Sequence, residues 1–309
     1  MINFRYHVVS LTAVFLALAI GLVVGTAALN GPAADSLKDQ IETFRNDNNN
    51  LRGQVAQFKD EAGREEDFAV EAAPMLVGGK LAGRNLLVVV LPGGEEHADG
   101  VVSMLGVAGA RVTARVAVTD KFLAPENGVE LLDYAENATQ PTVTAAGLPL
   151  NSDGVETSSA LLARALLAQA SPVAPADLTA VLTAYAEGGY LAVEENAAPG
   201  AEATVLVSGT AAIDKDAARK NQNAVTLATQ FAAAKPLVIG GSGIGDGNLV
   251  GEVRGDPTLS KTISTVDNAA TARGQLVTAL TVVERLTANK AGQYGLGAGA
   301  TSLMPSAAP

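Results

Sequence analysis

The order of apolar and polar residues divides the chain into three regimes. The first is a block with no charge from Val8 to Leu29, VVSLTAVFLALAIGLVVGTAAL. At ~1.5 Å per residue it reaches about 33 Å, enough to cross a hydrocarbon core of ~30 Å. A cleaved signal peptide has a shorter apolar core, ~7–15 residues, behind a basic segment. Here the core is longer and only Arg5 and the amino terminus are basic, although Thr26-Ala27-Ala28 offers small residues for cleavage. The pattern therefore favours a membrane anchor at 8–29 over a signal peptide, and over the core helix of a soluble protein. The positive flank lies before the span, while Asp35, Lys38 and Asp39 follow it. This places residues 1–7 in the cytoplasm and the rest outside a cell membrane. Gly21 and Gly25 form a GxxxG pair that would let two such helices approach closely.

The second regime is a heptad repeat over residues 35–65. Leu37, Ile41, Phe44, Asn48, Leu51, Val55, Phe58 and Ala62 alternate at spacings of four and three. Ile41, Asn48, Val55 and Ala62 fall at a, and Leu37, Phe44, Leu51 and Phe58 at d. The e positions Lys38, Arg45, Arg52 and Lys59 are basic, and the g positions Gln40, Asp47, Gln54 and Glu61 are acidic or amide. In a parallel pair Asp47 would face Arg52 of the second chain. A lone Asn at a, here Asn48, is the device that fixes register and a two-stranded state. The expected interface is therefore Leu37, Ile41, Phe44, Asn48, Leu51, Arg52, Val55 and Phe58, holding a parallel homodimer. The alternatives are an amphipathic helix packed on its own domain, or a coil shared with a different protein. The run Asn46–Asn50 weakens the helix intrinsically, since Asn is a poor helix former. Residues 66–82 read as a helical extension and linker.

The third regime, 83–290, alternates between period-2 or continuous apolar runs and helical periods. Strands are expected at Asn85–Leu91, Arg111–Val118, Tyr190–Val193, Thr204–Val207, Leu237–Ile239 and Thr262–Val266. Helices are expected at 97–108, 126–137, 157–170, 175–186, 213–233 and 269–288. This order defines an α/β domain whose mostly parallel sheet is covered by helices on both faces. The segment 291–309, rich in Gly, Ala, Ser and Pro, reads as a disordered tail.

Composition removes several chemistries. There is no Cys, which excludes disulfides, Fe–S clusters and thiol nucleophiles. A net charge of -11 argues against nucleic-acid binding. The loop 240–247 (GGSGIGDG) fits neither GxGxxG nor the GK[ST] of a P-loop, lacks a helix signal directly after it, and reads as a surface loop. His97 in Glu95-Glu96-His97-Ala98-Asp99 is a weak metal candidate; acids there suit a helix amino terminus equally well. Glu194-Glu195 reads as a surface pair rather than an acid/base couple. No catalytic residue, cofactor site or metal site is assigned, and the chain reads as a non-enzyme.

The stretch His7–Gly25, the heptad helix behind it, the strand 85–91 ending in Pro-Gly, and Ser264-Thr265-Val266-Asp267-Asn268 before the last helix together resemble the actinobacterial MctB family, also called the copper transporter or SteB-like family. The resemblance covers nearly the whole chain, and none of its motifs is catalytic. It implies either copper efflux through an outer-membrane pore, or a single-pass cell-division protein that works with a SteA-type membrane partner on septal peptidoglycan hydrolysis. Cu(I) prefers soft sulfur ligands. This chain has no Cys, and its four Met (Met1, Met75, Met104, Met304) are isolated. His7 and His97 are far apart in sequence, and one span makes no pore. The sequence thus favours an anchored dimeric scaffold that recruits or regulates a cell-wall hydrolase, with copper efflux or homeostasis as the alternative.

Overall fold

A computed structural model describes residues 4–29, 31–149, 153–194, 197–243, 245 and 247–306. The chain forms two units, Met1–Arg64 and Glu65–Pro309. The first holds α1 (Phe4–Leu29) and most of the long helix α2 (Pro32–Val77). In α1 the stretch Phe4–Ala27 is long and apolar enough to cross a membrane, and none of it is buried by the protein itself. The expected anchor is thus one uninterrupted helix beginning four residues before Val8.

The second unit follows the order β1 (Asn85–Val90), α3 (Glu95–Val107), β2 (Arg111–Val118), α4 (Asp120–Leu123), α5 (Gly128–Asn137), α6 (Gly154–Leu166), α7 (Pro175–Glu187), β3 (Leu191–Val193) and β4 (Ala203–Ser208). It continues with α8 (Ala217–Ala234), β5 (Leu237–Gly241), α9 (Leu249–Gly255), α10 (Leu259–Thr262), β6 (Ile263–Val266), α11 (Ala272–Ala288) and β7 (Gln293–Tyr294). One sheet is ordered β3-β2-β1-β4-β5-β6-β7. Every pairing is parallel except β2 with β3, where Val116 faces Val193.

Alternation along the strands divides two cores. Leu87, Val89, Leu206, Leu237 and Ile239 face the helices α4 to α9. Leu86, Val88, Val90, Val205 and Val238 face α3, α11 and the end of α2. A sheet covered on both faces needs apolar side chains on both, which is why Asn85–Val90 is a continuous apolar run rather than an alternating one. In β2 the pairing slips between Leu86 and Leu87, so that Leu86 faces Val112 and Leu87 faces Ala114. Thr113 is the extra residue. Its hydroxyl donates to the Leu86 carbonyl (3.3 Å), so the insertion leaves no unpaired side chain.

Three expectations change. The segment 66–82, read as helical extension and linker, is helix as far as Val77, where α2 ends with Gly63 and Pro74 carried within it. Ala69, Ala73 and Val77 are buried, and the last two join the core beneath β1. Packing there compensates for what Gly and Pro cost a helix. The tail expected to be disordered contains β7 instead. Gln293 and Tyr294 pair with Thr265 and Val266, and the chain then folds back so that Thr301 N–H donates to the Gln293 carbonyl (2.7 Å). Only residues 307–309 of that segment lie outside the described residues. A helix, α9, does follow the 240–247 loop, with the Asn248 carboxamide oxygen accepting from Val250 N–H (3.0 Å). Helix starts also shift by a few residues where a cap decides them. Asp153 caps α6 through Glu156 N–H (3.1 Å), and Thr271 caps α11 through Gly274 N–H (3.1 Å).

Candidate functional site

Two places stand out: a face of α2 and the carboxyl edge of the sheet. On α2, Leu37, Ile41, Phe44, Leu51, Val55 and Phe58 are all exposed large apolar side chains. Asn48, Arg52 and Ala62 are exposed as well. The structure therefore places every predicted interface residue on the surface of one continuous helix and buries none of them within the chain. Six large apolar side chains are exposed along one face of α2, the kind of contiguous apolar patch that sets a candidate interaction surface apart from scattered surface residues. The a register after Ala62 falls next on Ala69, which is buried. Here Glu65 pairs with Arg273 (3.6 Å), and the Glu66 carboxylate accepts from Ala272 N–H. Both acids sit at the amino end of α11, where the helix dipole favours negative charge. The end of α2 is thereby tied to the α/β core. On α1, Gly21 and Gly25 leave bare backbone, since a methyl added at either meets no other atom of the chain.

The sheet changes direction of build between β1 and β4, the point where open α/β sheets present their ligand crevice. In dinucleotide-binding folds a phosphate lies on the helix that follows the first strand. Here that helix, α3, starts with Glu95 and Glu96, and these carboxylates would repel a phosphate. Backbone also fills the crevice: a Cβ on Gly209 would sit 2.3 Å from the Gly93 carbonyl group, and one on Gly94 would sit 2.6 Å from the Val207 oxygen. Gly209→Ala should therefore cost roughly 1–3 kcal/mol through overpacking. Gly106→Ala, where a Cβ meets nothing within 4 Å, should raise stability by up to about 1 kcal/mol through helix propensity. Urea midpoints of the two variants check this contrast.

The glycine-rich segment after β5 is largely structural. Gly240 and Gly241 are buried, and a Cβ on Gly241 would lie 2.6 Å from a Val250 methyl. Gly243 N–H donates to the Asp267 carbonyl (2.8 Å). Ile244 and Asp246 of this loop, Glu195 of the acidic pair, and Met1 lie outside the described residues. His97 is half-buried in the first turn of α3. Among the described residues no three His, Asp or Glu side chains converge as metal ligands. Met104 is buried in the core, whereas Met75 and Met304 are exposed.

The interaction that sequence reading missed most clearly lies under β7. Arg254 and Asp267 are an almost fully buried ion pair at 2.8 Å, their side chains 4% and 3% exposed. Arg254 also donates from Nε to the Thr265 hydroxyl (2.9 Å) and from its two terminal nitrogens to the carbonyls of Ala298 (3.0 Å) and Tyr294 (2.6 Å). Asp267 accepts from Leu296 and Gly297 N–H, both at 2.9 Å. Neither residue looks unusual in sequence, because they are 13 positions apart on different elements.

An amino-terminal helix long and apolar enough to cross a membrane, an exposed apolar face on α2 and a mostly parallel sheet covered on both faces fit a membrane-anchored α/β protein. The family described as "Copper transport outer membrane protein, MctB" matches residues 1–305, and the chain belongs to that family. Among curated proteins it is similar to "Copper transporter MctB" of Mycobacterium tuberculosis, 28% identical over 98% of this chain and 99% of the relative. It is also similar to the protein of the same name from Mycobacterium leprae, 30% identical over the same shares. These names agree with the copper alternative. They lend no support to the expectation of a cell-wall hydrolase adaptor.

Proposed function

We propose that the chain is an anchored dimeric binding protein that serves copper homeostasis in the envelope by assembling partners, and that it does not itself conduct the ion. The exposed seam of α2 carries the assembly part of this reading. A second copy is the occupant that fits it best, because basic e positions face acidic or amide g positions in a parallel pair, and a membrane helix on each chain enforces parallel alignment. Copper enters through the full-length relationship to proteins named as copper transporters. The donor chemistry favours assembly over direct ligation: without thiolates, and with Met104 buried, the described residues present little soft-ligand density to Cu(I). The amino terminus lies inside and the α/β unit outside, following the charge on the flanks of α1. The reading assigns no catalytic role.

A deletion strain should lose copper tolerance, and the full chain should restore it. Leu51→Asp with Phe58→Asp, made together, should fail to restore it while still reaching the membrane. Unchanged tolerance in the deletion strain would end the copper reading. Full rescue by the double variant would end the role of the seam. Calorimetry on the full chain in detergent should show no stoichiometric Cu(I) binding, and a tight 1:1 isotherm would contradict the indirect role. If affinity capture instead retrieves peptidoglycan hydrolases, and copper tolerance does not change, the cell-wall reading replaces this one.

A further inference from the structure

The heptad seam of α2 does not enter the α/β unit in its original register. Continued at alternate steps of four and three, it would pass from Phe58 and Ala62 to Glu65, Ala69, Ala72 and Leu76. Ala69 is buried by its own chain. So are Ala73 and Val77, one and two turns on, which join the core beneath β1. A second helix cannot reach positions that the chain already covers itself.

The exposed apolar side chains move instead to a neighbouring line. Phe68 is 72% exposed and Met75 87%, with Ala72 half-buried between them. Phe68 precedes Ala69 by one residue, about 100° round the helix. Followed along this line, Phe58, Ala62, Glu65, Phe68, Ala72 and Met75 are spaced four, three, three, four and three. The alternation resumes after a single extra step of three. Such an insertion keeps an apolar seam continuous and overwinds the coil locally. The g positions record the same change. They are Gln40, Asp47, Gln54 and Glu61 along the seam, and they become Phe68 and Met75 where the a position turns inward. Polar residues at g suit a flank open to water, whereas two large apolar side chains one heptad apart suit a covered position. Glu65, at the shift, pairs with Arg273 (3.6 Å), so its carboxylate is not left without a counter-charge.

We infer that the α/β unit carries a dimer contact of its own, in which Phe68, Ala72 and Met75 meet the same residues of a second copy. The inference rests on the parallel seam of the proposed dimer and deepens it. A second copy is the occupant because α2 is one helix from Pro32 to Val77 and the line keeps the heptad spacing. A two-fold axis along the pair brings each residue to its own counterpart, so a line of Phe, Ala and Met is complementary to itself. The helices therefore stay together past Ala62 instead of parting there.

The test is disulfide crosslinking of the full chain in its membrane. The chain has no cysteine, so Leu51→Cys, Phe68→Cys, Val70→Cys and Met75→Cys each place one thiol per chain. All four side chains are exposed, and the substitutions should leave the fold intact. Val70 is the control, since it lies two residues, about 200° round the helix, from Phe68. Under a mild oxidant, Phe68→Cys and Met75→Cys should crosslink at least fivefold faster than Val70→Cys. If Leu51→Cys crosslinks fast while both of them only match Val70→Cys, the helices part at Ala62; this overturns the inference and leaves the seam standing. If Leu51→Cys fails as well, the seam and the inference fall together. Crosslinking at Val70 as fast as at Phe68 and Met75 would reveal random collision rather than a fixed contact, and would also overturn it.

Discussion

Replacing Leu51 and Phe58 together by Asp should convert the proposed full-length dimer to a monomer. Each is a large apolar side chain on the α2 seam, 59% and 65% exposed. In a parallel dimer both copies of each residue are covered. Burying such a side chain is worth about 1.5–3 kcal/mol, so two positions in two chains lose roughly 6–12 kcal/mol before charge is counted. At 1.4 kcal/mol per tenfold change, that weakens dimerisation by about 10⁴-fold or more. Four carboxylates in one seam add mutual repulsion. Light scattering in detergent, with the micelle contribution subtracted, should show the protein mass halve. A mass that stays unchanged would mean that α1 or the α/β unit, rather than the seam, holds the chains together. Asn48→Val should act in the opposite direction, strengthening association while loosening the choice of two strands, since a polar a residue costs stability in exchange for register.

Asp267→Ala should be the most damaging single substitution in the α/β unit. It strips the counter-charge from Arg254, whose side chain is only 4% exposed, and it leaves Leu296 and Gly297 N–H without their acceptor. Removing one partner of a buried pair costs about 3–5 kcal/mol, because the remaining charge stays buried and unmatched. The loss should be local in its first effect. Hydrogen exchange should accelerate at Gln293, Gly295 and Thr301, whose amides belong to the strand and turn that Arg254 and Asp267 fasten, while amides of β1 and β4 keep their protection. The combined change Arg254→Met with Asp267→Leu should cost much less than either half alone, since it removes both charges together. Equal destabilisation by the single and double variants would show that the carbonyl contacts of Arg254, and not the ion pair, hold the segment.

Much of the fold was legible because its signals are local. A charge-free block, a 3.5-residue period, and the run Asn85–Leu91 each announce an element from contiguous residues. The parallel sheet followed from strands and helices in alternation. What was not legible depends on contacts distant in sequence. Gln293–Tyr294 has too few residues to show a period, and it is a strand because Thr265 and Val266 offer an edge and Arg254 holds the Tyr294 carbonyl. Its Gly-rich surroundings resemble a loose tail for a physical reason: Gly295, at φ 128°, passes so close to Asp267 that a Cβ would lie 2.1 Å from the carboxylate. Gly240 and Gly241 misled in the same way, suggesting a flexible loop where close packing, of Gly240 on Ala269 and Thr278 and of Gly241 on Val250 of α9, leaves little room for a side chain. The candidate interface shows the reverse case. All of its residues could be named in advance because the seam is a one-dimensional pattern, whereas the Arg254–Asp267 pair joins positions that only the tertiary fold brings together.

The absence of cysteine makes the central claim directly testable. Leu51→Cys places one thiol per chain at a d position of the seam, and Asn46→Cys places one at f, on the opposite side of the helix. In membranes exposed to a mild oxidant, Leu51→Cys should form a disulfide-linked dimer quickly and nearly completely, because facing d residues in a parallel pair come within the ~5.5–6 Å Cα separation that a disulfide needs. Asn46→Cys should remain monomeric. Equal crosslinking at both positions, or none at Leu51, would contradict the parallel seam on which this account rests.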